Sequence, residues 1–586
     1  MFKIFRYLQR KEWLQVGLVF LFAVLQVRLD LMIPSYFRRI TMLAQMPDSL
    51  TSEIVTIGAF MLLCALGSLA CVIAISFLAS RVSAALSMRL RDMLFDKVAD
   101  FSMEEFARFS TSSLIARSTN DITQIQQFAM SAMQMLLKVP ILAVGGMIGI
   151  AGSGIEWTIA ALIAFVFMLI VVACTMAVVM PQFKKMQKLV DRLNLTVRES
   201  LAGRYVIRAF NAEAYHEEKF EAANSGFTDT DRKTNRTMAV MSPVMSLGSN
   251  GVIIAVYIIG ALMINAAGQA ESLTVFSNMI VMTFYLRLLF DAIKFITKVV
   301  PRIPRAIVSA GRIIEVLNTE PMIKEGNLAE GLPNVRGEIA FRNVGFKYPG
   351  AAASALEGIT FTAKQGETVA FIGSTGSGKT TLINLVMRFF DANEGEILIN
   401  GVDIKAYKTE ALNDKLGYVP QKSVLFKGTV SSNVAYGDNG KGGYSPADIE
   451  KAIQIARAEE FVSQLEGGVN AAVSQRGVNF SGGQKQRLSI ARAVCRTPEI
   501  LIFDDSFSAL DYKTDREVRQ SLSTETDGAT RLIVAQRIGT IIDADQIIVL
   551  DDGNIAGIGT HKELLESCQV YREIAKSQLS EEELAS

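Results

Sequence analysis

Two short stretches carry residues whose types and order can do chemistry. The first is GSTGSGKT, residues 373–380: Gly373, Ser374, Thr375, Gly376, Ser377, Gly378, Lys379 and Thr380, followed by Thr381. It lies after the apolar run ETVAFI and before TLINLVMRFF, which is where a phosphate-binding loop between a strand and a helix belongs. Glycines let backbone N–H groups converge on phosphate oxygens, and a helix N-terminus adds its positive end. Lys379 would supply counter-charge to the β and γ phosphates and Thr380 a hydroxyl for Mg²⁺. The second stretch is LIFDDSFSALD, residues 501–511. Its apolar strand delivers Asp504 to where a Mg²⁺ would sit. The next residue, Asp505, stands where a longer carboxylate would polarise an attacking water. Strand, glycine loop, helix and downstream acidic strand coincide, which sets the pattern apart from a chance match.

A further phosphate-suited helix start lies between them. In FSGGQKQRLSIARAV, residues 480–494, Ser481 and two glycines precede a basic amphipathic helix. One nucleotide does not need two such sites from one polypeptide.

The elements that must position these residues follow from composition. The chain has 586 residues, half of them apolar, and a net charge of +1 that gives no pointer to a nucleic-acid partner. Apolar runs of roughly 20 residues, enough to cross about 30 Å of hydrocarbon, recur at 13–35, 54–80, 129–151, 155–180, 241–267 and 274–300 and then stop. These predict six spans and an integral membrane protein, for which a bacterial cytoplasmic membrane is the expected location. No cleavable signal peptide is expected before the first span, because MFKIFRYLQRKEW runs straight into it. The segments 81–128 and 181–240 are rich in Lys and Arg, whereas AGSGIEW and AAGQAESL have none, so both termini and both long loops are expected in the cytoplasm. Arg38 and Arg39 run against that bias without outweighing it. Apolar spacing of three and four in both long loops predicts helices that continue the spans beyond the bilayer. Cys64, Cys71, Cys174, Cys495 and Cys568 show no metal spacing and read as packing residues. The expected fold is thus an α-helical membrane domain over 1–317, a polar linker over 318–336, and an α/β P-loop ATPase domain with a helical subdomain over 337–586.

Taken together, these motifs resemble an ATP-binding cassette exporter half-transporter, six membrane helices fused to one ATPase, and the resemblance covers nearly the whole chain. It implies ATP and Mg²⁺ as cofactors and further roles by position. Tyr348 in FKYPG matches the adenine-stacking aromatic, and Gln421 in GYVPQ the metal-sensing and coupling glutamine. Phe480, Ser481, Gly482, Gly483 and Gln484 match the signature. Ser508, Ala509, Leu510 and Asp511 match the subunit-communication loop. In that family two cassettes face each other, each ATP held between one phosphate loop and the other subunit's signature. FSMEEFARFSTSSLIARSTND and RESLAGRYVIRAFNAEAYHEEKF resemble the two coupling-helix regions, which dock on ATPase domains.

The chain departs from the family at two positions of one reaction centre. Asp505 stands for the usual Glu and Gln536 for the usual His, and only His216 and His561 exist elsewhere. Asp is shorter by one methylene, and a displacement of about 1 Å can cost roughly 100-fold in rate. The Gln amide can donate a hydrogen bond but carries no charge. The site is therefore expected to bind Mg–ATP and hydrolyse it poorly, although the signature is whole. That combination points to a heterodimer, whose other half-transporter has a complete Glu and His. AAVSQRG at 471–477 replaces a family segment that normally carries acidic residues.

The cargo is less legible. Arg287, Asp291, Lys294 and Lys298 form one stripe on the sixth span, with Arg287 and Asp291 able to pair, while Arg28 and Asp30 in the first span do not share a face. Such charges either form structural ion pairs or line the substrate path. Met133, Met135, Met241, Met245, Met279 and Met282 suit varied apolar ligands or ordinary packing. The expected function is export of amphipathic or hydrophobic small molecules of the multidrug type. Lipid or peptide export, and an ATP-binding regulatory or channel-like role without pumping, are the alternatives.

Overall fold

The computed structural model describes residues 2–44, 51–136, 138–152, 155–266, 269–299, 302–438, 442–526 and 528–579. The chain forms two compact units, Met1–Ala99 with Thr111–Thr319, and Asp100–Ser110 with Glu320–Ser586.

In the first unit, six helices among the described residues are long and apolar enough to cross a membrane: Arg10–Ala44, Thr51–Ala99, Thr111–Ala151, Trp157–Ala202, Glu213–Ala266 and Ser272–Phe295. The expected span ends at 267 and 300 lie outside the described residues, as does the side chain of Lys298. Continuous helix is what a bilayer demands, since every backbone polar group is then satisfied within its own segment. Pro34, Pro181 and Pro243 are accommodated inside these helices. The third is interrupted by two π-helical turns, Arg117–Asp121 and Ala132–Leu136. Met241, Met245, Met279 and Met282 are buried in one apolar cluster with Trp157, Tyr285 and Leu289, so these four methionines act as packing. Of the five cysteines, Cys174 alone is exposed.

Charges within the spans fall into two groups. Asp30 accepts a bond from Ser68 Oγ at 2.5 Å and pairs with Lys138 at 3.4 Å, which ties the first three spans together. Arg28 and Arg287 are exposed on this chain. Asp291 pairs with Lys294 at 3.4 Å rather than with Arg287, both neighbours lying on its face of the helix. Tyr285 donates to Leu31 O at 3.3 Å, and Val27 shares a cluster with Ala292. This antiparallel register sets Arg28 level with the Arg287 to Asp291 turn.

The second unit is built on two sheets. A four-stranded sheet runs Leu356–Ala363, Ile339–Phe346, Glu394–Ile399, Val402–Asp403. A six-stranded sheet runs Asn554–Gly559, Gln546–Asp551, Thr368–Gly373, Thr530–Val534, Ile500–Asp504, Leu416–Val419. All neighbours in it are parallel except the first pair. The central strands are buried on both faces, consistent with their unbroken apolar sequences AFI, LIF and LIV. Beside this sheet a helical part contains Pro446–Ile455 and Gly482–Cys495, packed in a cluster with Leu488, Ile453 and Val462.

Residues 320–336 lie on the second unit. Leu328 bridges Tyr407, and Leu332 N donates to Asn400 O at 2.9 Å. The short helix Met103–Phe109 also belongs to this unit, and Glu105 Oε1 accepts from Met322 N at 3.0 Å. Its start is fixed by a capping box between Ser102 and Glu105.

Candidate nucleotide site

Parallel register brings the predicted residues to one edge. Val534 pairs with Asp504 and with Phe371, and Val419 with Phe503. The chain therefore leaves four neighbouring strands at Gly373, Asp505, Ala535 and Pro420, with Gln536 and Gln421 one residue further on. Ligands of open parallel sheets bind outside these carboxyl ends.

The phosphate loop is shaped for a close backbone approach. Gly378 has φ +99°, and a Cβ there would come within 2.8 Å of Ala355 O. A Cβ at Gly373 would overlap Leu550 O. Lys379 Nζ donates to Gly373 O at 2.8 Å, Ser374 O at 2.7 Å and Ser377 Oγ at 3.2 Å, which holds the ammonium over the loop's own carbonyls. Burial pulls the Lys379 ammonium below the usual lysine range, against the opposing pull of Asp505 and Asp504. Thr381 is buried and its Oγ1 lies 3.1 Å from Tyr348 Oη; the Tyr348 ring stands edge-on to Phe346 and Phe390.

Thr380 Oγ1 donates to Asp504 Oδ1 at 3.3 Å. A hydroxyl and a carboxylate are hard oxygen donors suited to Mg²⁺, so these two residues fit that ion. Asp504 is 3% exposed, and burial raises its pKa above the usual carboxylate value. A bound cation would offset that burial.

Asp505 is the most constrained residue of the site. It has φ +49°, a left-handed conformation that Asp tolerates better than most residues, and its N–H donates to Val534 O at 3.0 Å. Its Oδ2 accepts from Gln536 Nε2 at 2.8 Å and from Gln421 Nε2 at 3.2 Å. One carboxylate oxygen thus takes both amides. The histidines are engaged elsewhere: His561 Nδ1 lies 2.7 Å from Tyr571 Oη, and His216 Nδ1 3.2 Å from Ser200 Oγ.

The signature residues cap a helix. Ser481 Oγ accepts from Gln484 N at 3.3 Å, and Gln484 Oε1 from Ser481 N at 2.9 Å. A Cβ at Gly482 would meet nothing within 4 Å, and one at Gly483 would come within 3.3 Å of Ala509 O, so the communication loop of Ser508 to Asp511 abuts the signature. Phe480 is buried against Phe461. The segment over 471–477 ends in a turn with Arg476 at φ +60°.

Three residues escaped the sequence reading. Ser506 Oγ donates to Val419 O at 2.9 Å. Gln486 is 2% exposed, donates to Pro420 O at 3.3 Å and accepts from Ser423 Oγ. A polar residue on a basic helix carries no sign of burial in its sequence. Its place one turn after Gly482 is the only available signal.

The description "ABC transporter transmembrane region" matches residues 16–290, and "ABC transporter" matches residues 356–508. An uncharacterized ABC transporter ATP-binding protein of Mycobacterium tuberculosis is 38% identical over 536 residues, 90% of each chain. The chain belongs to the ABC transporter family. Within it, the fusion of membrane and ATP-binding regions is that of an ABC exporter half-transporter. A solved bacterial Atm1-family ABC exporter with ATP bound is similar with a TM-score of 0.80 at 25% identity, covering 98% of this chain and 99% of that one. A protein of Pseudomonas aeruginosa named ATP-dependent lipid A-core flippase is 32% identical over 490 residues, 84% of this chain and 79% of its own. As in other ABC exporters, the cassette binds ATP and its hydrolysis drives transport.

Proposed function

We propose that this ABC exporter chain works as one half of a heterodimer, in which its own ATP site binds nucleotide but turns it over slowly while its signature serves the partner's ATP. The observation that carries this reading is the Asp505 carboxylate, drawn to Gln536 at 2.8 Å and Gln421 at 3.2 Å. A general base must present a free lone pair to water, and geometry precedes pKa in that test. Here Oδ2 is shared by two donors, so Oδ1 of this short carboxylate is the oxygen left for water, one methylene farther back than a Glu would place it. The neutral Gln536 adds no charge to stabilise a leaving γ-phosphate.

The residues divide the remaining work. Lys379 and the loop N–H groups hold the phosphates, Tyr348 receives the adenine, and Thr380, Asp504 and Gln421 would hold Mg²⁺. That ion, when bound, neutralises charge between the β and γ phosphates. Ser481 and the N–H groups of the signature helix serve the partner's nucleotide in this reading.

Coupling to the membrane part is supported at both loops. Met103–Phe109 sits in the same compact unit as the ATPase. The second region forms the short helix Arg204–Ala209, none of whose residues is buried; Tyr205 is 89% exposed and Phe210, just beyond it, 78%. We assign their cover to the partner's ATPase domain. Both termini face the cytoplasm in this reading.

The cargo is an amphipathic compound. Exposed Arg28 and Arg287 stand level on the first and sixth spans beside exposed Leu21 and Leu25, and charged groups at such depth face protein or water rather than hydrocarbon. A face both cationic and apolar suits an amphiphile, and the resemblance to proteins named lipid A-core flippase favours lipid cargo as the second reading.

The test is ATP binding and hydrolysis by the chain purified alone, with a fluorescent ATP analogue and phosphate release. Binding with turnover near background is expected, and Lys379→Ala should weaken the binding. Robust turnover by the isolated chain would sink the assignment of a slow site.

A further inference from the structure

A cavity of about 330 Å³ lies in the ATPase unit between the helix Tyr512–Glu525 and the six-stranded sheet. One end is lined by Thr368 and Arg531, the first and second residues of the strands Thr368–Gly373 and Thr530–Val534. These are the amino ends of the strands, opposite the edge where Gly373, Asp505 and Ala535 meet. Among the described residues, none of the phosphate loop lines the cavity. Its floor is apolar: Phe503, Phe507, Leu522 and Ile533 are each no more than 5% exposed, and the two rings stand 5.2 Å apart. Its rim is cationic. Arg516, Arg519, Gln520 and Ser523 follow at steps of three, one and three, which places all four on one face of the helix. Arg531 brings a third guanidinium from the facing strand.

Three guanidinium groups converge here on too few acceptors. Arg531 is held in place by Thr368 Oγ1 at 2.9 Å and Gly366 O at 3.1 Å. Arg519 gives Nε and Nη2 to Asp515 at 2.8 and 3.5 Å, and Asp515 also accepts from Thr540 Oγ1 at 3.4 Å. A guanidinium carries five N–H donors, so Arg519 keeps Nη1 for a further acceptor. Arg516 makes no hydrogen bond or ion pair among the described residues. It lies three positions from Arg519, where like charges repel. Counting Asp515 beside the lining Asp543, three cations face two carboxylates, which leaves one positive charge uncompensated.

We propose that this cavity binds a small organic monoanion, a carboxylate carried on an aromatic or branched apolar body, with the head at Arg516 and Arg519 and the body over the Phe503 and Phe507 floor. An apolar cavity of this volume with a few convergent polar groups is the usual form of a small-molecule site. The single unmatched charge selects one carboxylate over a triphosphate, and the apolar floor selects an organic body over a bare inorganic ion. The site is separate from the nucleotide, which belongs at the opposite edge of the sheet, and from the cargo, which is the work of the membrane spans.

The test is calorimetric titration of the whole chain in lipid nanodiscs with 2-naphthoate, its neutral twin 2-naphthamide and inorganic phosphate, with empty nanodiscs subtracted. Naphthoate should bind saturably, about tenfold or more tighter than naphthamide or phosphate, as a hydrogen bond to a charged group allows. Its affinity should fall as salt rises from about 0.05 to about 0.5 M. Arg516 is exposed and unpartnered, so its replacement leaves the fold intact. Arg516→Gln should weaken naphthoate about fivefold, the upper range for an exposed ion pair. Arg516→Glu, which turns attraction into repulsion, should weaken it further, and Arg516→Lys should keep most of the affinity. Fluorescent-ATP binding should stay within about twofold throughout. No saturable binding of naphthoate by about 10 mM, weaker than a ligand of this size should show, would overturn the site. Equal binding of naphthoate and naphthamide, or an affinity untouched by both Arg516→Gln and Arg516→Glu, would do the same. Phosphate binding as tightly as naphthoate would leave no role for the apolar floor and would refute an organic ligand. Loss of naphthoate binding in Lys379→Ala would move the anion to the phosphate loop, and loss in Arg28→Gln with Arg287→Gln would move it to the membrane spans; either result overturns the cavity and leaves the ATP and cargo assignments standing.

Discussion

Restoring the two departed residues together should create hydrolysis that neither change creates alone. Asp505 is short, and its Oδ2 lies 2.8 Å from Gln536 Nε2. Glu adds about 1.5 Å of reach, which at that separation drives the carboxylate into the Gln536 amide unless it swings aside. Asp505→Glu alone therefore gains length but keeps a competing donor. A hydrogen bond to a charged group is worth about 1.5–3 kcal/mol, and about 1.4 kcal/mol is tenfold in rate. Releasing the carboxylate from Gln536 is thus worth roughly 10- to 100-fold, and only a released carboxylate can realise the roughly 100-fold attached to about 1 Å of placement. In a self-paired Asp505→Glu, Gln536→His variant both sites hold a complete Glu, His and signature. Phosphate release by the purified chain should rise by less than tenfold for Asp505→Glu, little for Gln536→His, and by at least 100-fold for the pair. Full recovery from Asp505→Glu alone would refute the argument that Gln536 restrains the carboxylate. A dead double variant that still binds ATP and still self-associates would refute the claim that these two residues limit the site.

Ser481→Arg fills the exposed helix start with a bulky cation and should nearly abolish ATPase of the assembled transporter. ATP binding at this chain's own phosphate loop, read by fluorescence, should stay within about twofold, because the Ser481 hydroxyl bonds Gln484 N of its own helix and no residue of the phosphate loop among the described residues. Affinity for Mg–ATP should fall on both sides of neutrality. Burial raises the Asp504 pKa, so its proton returns at a higher pH than for an ordinary carboxylate and opposes the metal; burial lowers the Lys379 pKa, so its charge is lost at a lower pH than for an ordinary lysine. A binding profile as wide as that of free lysine and aspartate would contradict both.

Much of this was readable from residue order. GSTGSGKT and LIFDD predict their own strand ends, because glycine spacing and apolar runs are local signals. The six spans were likewise legible, since length and hydropathy decide them. The bond between Asp505 and Gln536 was not, because it depends on Val534 pairing in parallel with Asp504, a register that no local pattern encodes. Asp291 chose Lys294 over Arg287 for a similar reason, two spacings being equally allowed on a helix and no local pattern ranking them. Residues 320–336 look like a solvated linker by composition. Their backbone, however, finds partners on Asn400 and Tyr407, where the sheet leaves hydrogen-bonding groups uncovered. Gln486 is hidden by the same fact: burial of a polar group is a property of its neighbours.

The second and fifth helices run 49 and 54 residues. At about 1.5 Å per residue they are roughly 75–80 Å long, while the hydrocarbon they cross is about 30 Å thick. Some 40 Å or more of each is left outside the bilayer as a stiff arm. By geometry, a tilt of about 10° pivoting at the membrane surface then carries the far tip by about 7 Å, against about 5 Å at the opposite end of the span. The protein is in this sense geared: small angular changes among packed spans and ångström-scale strokes at the distal ends are the same motion, traded between force and distance along a rod.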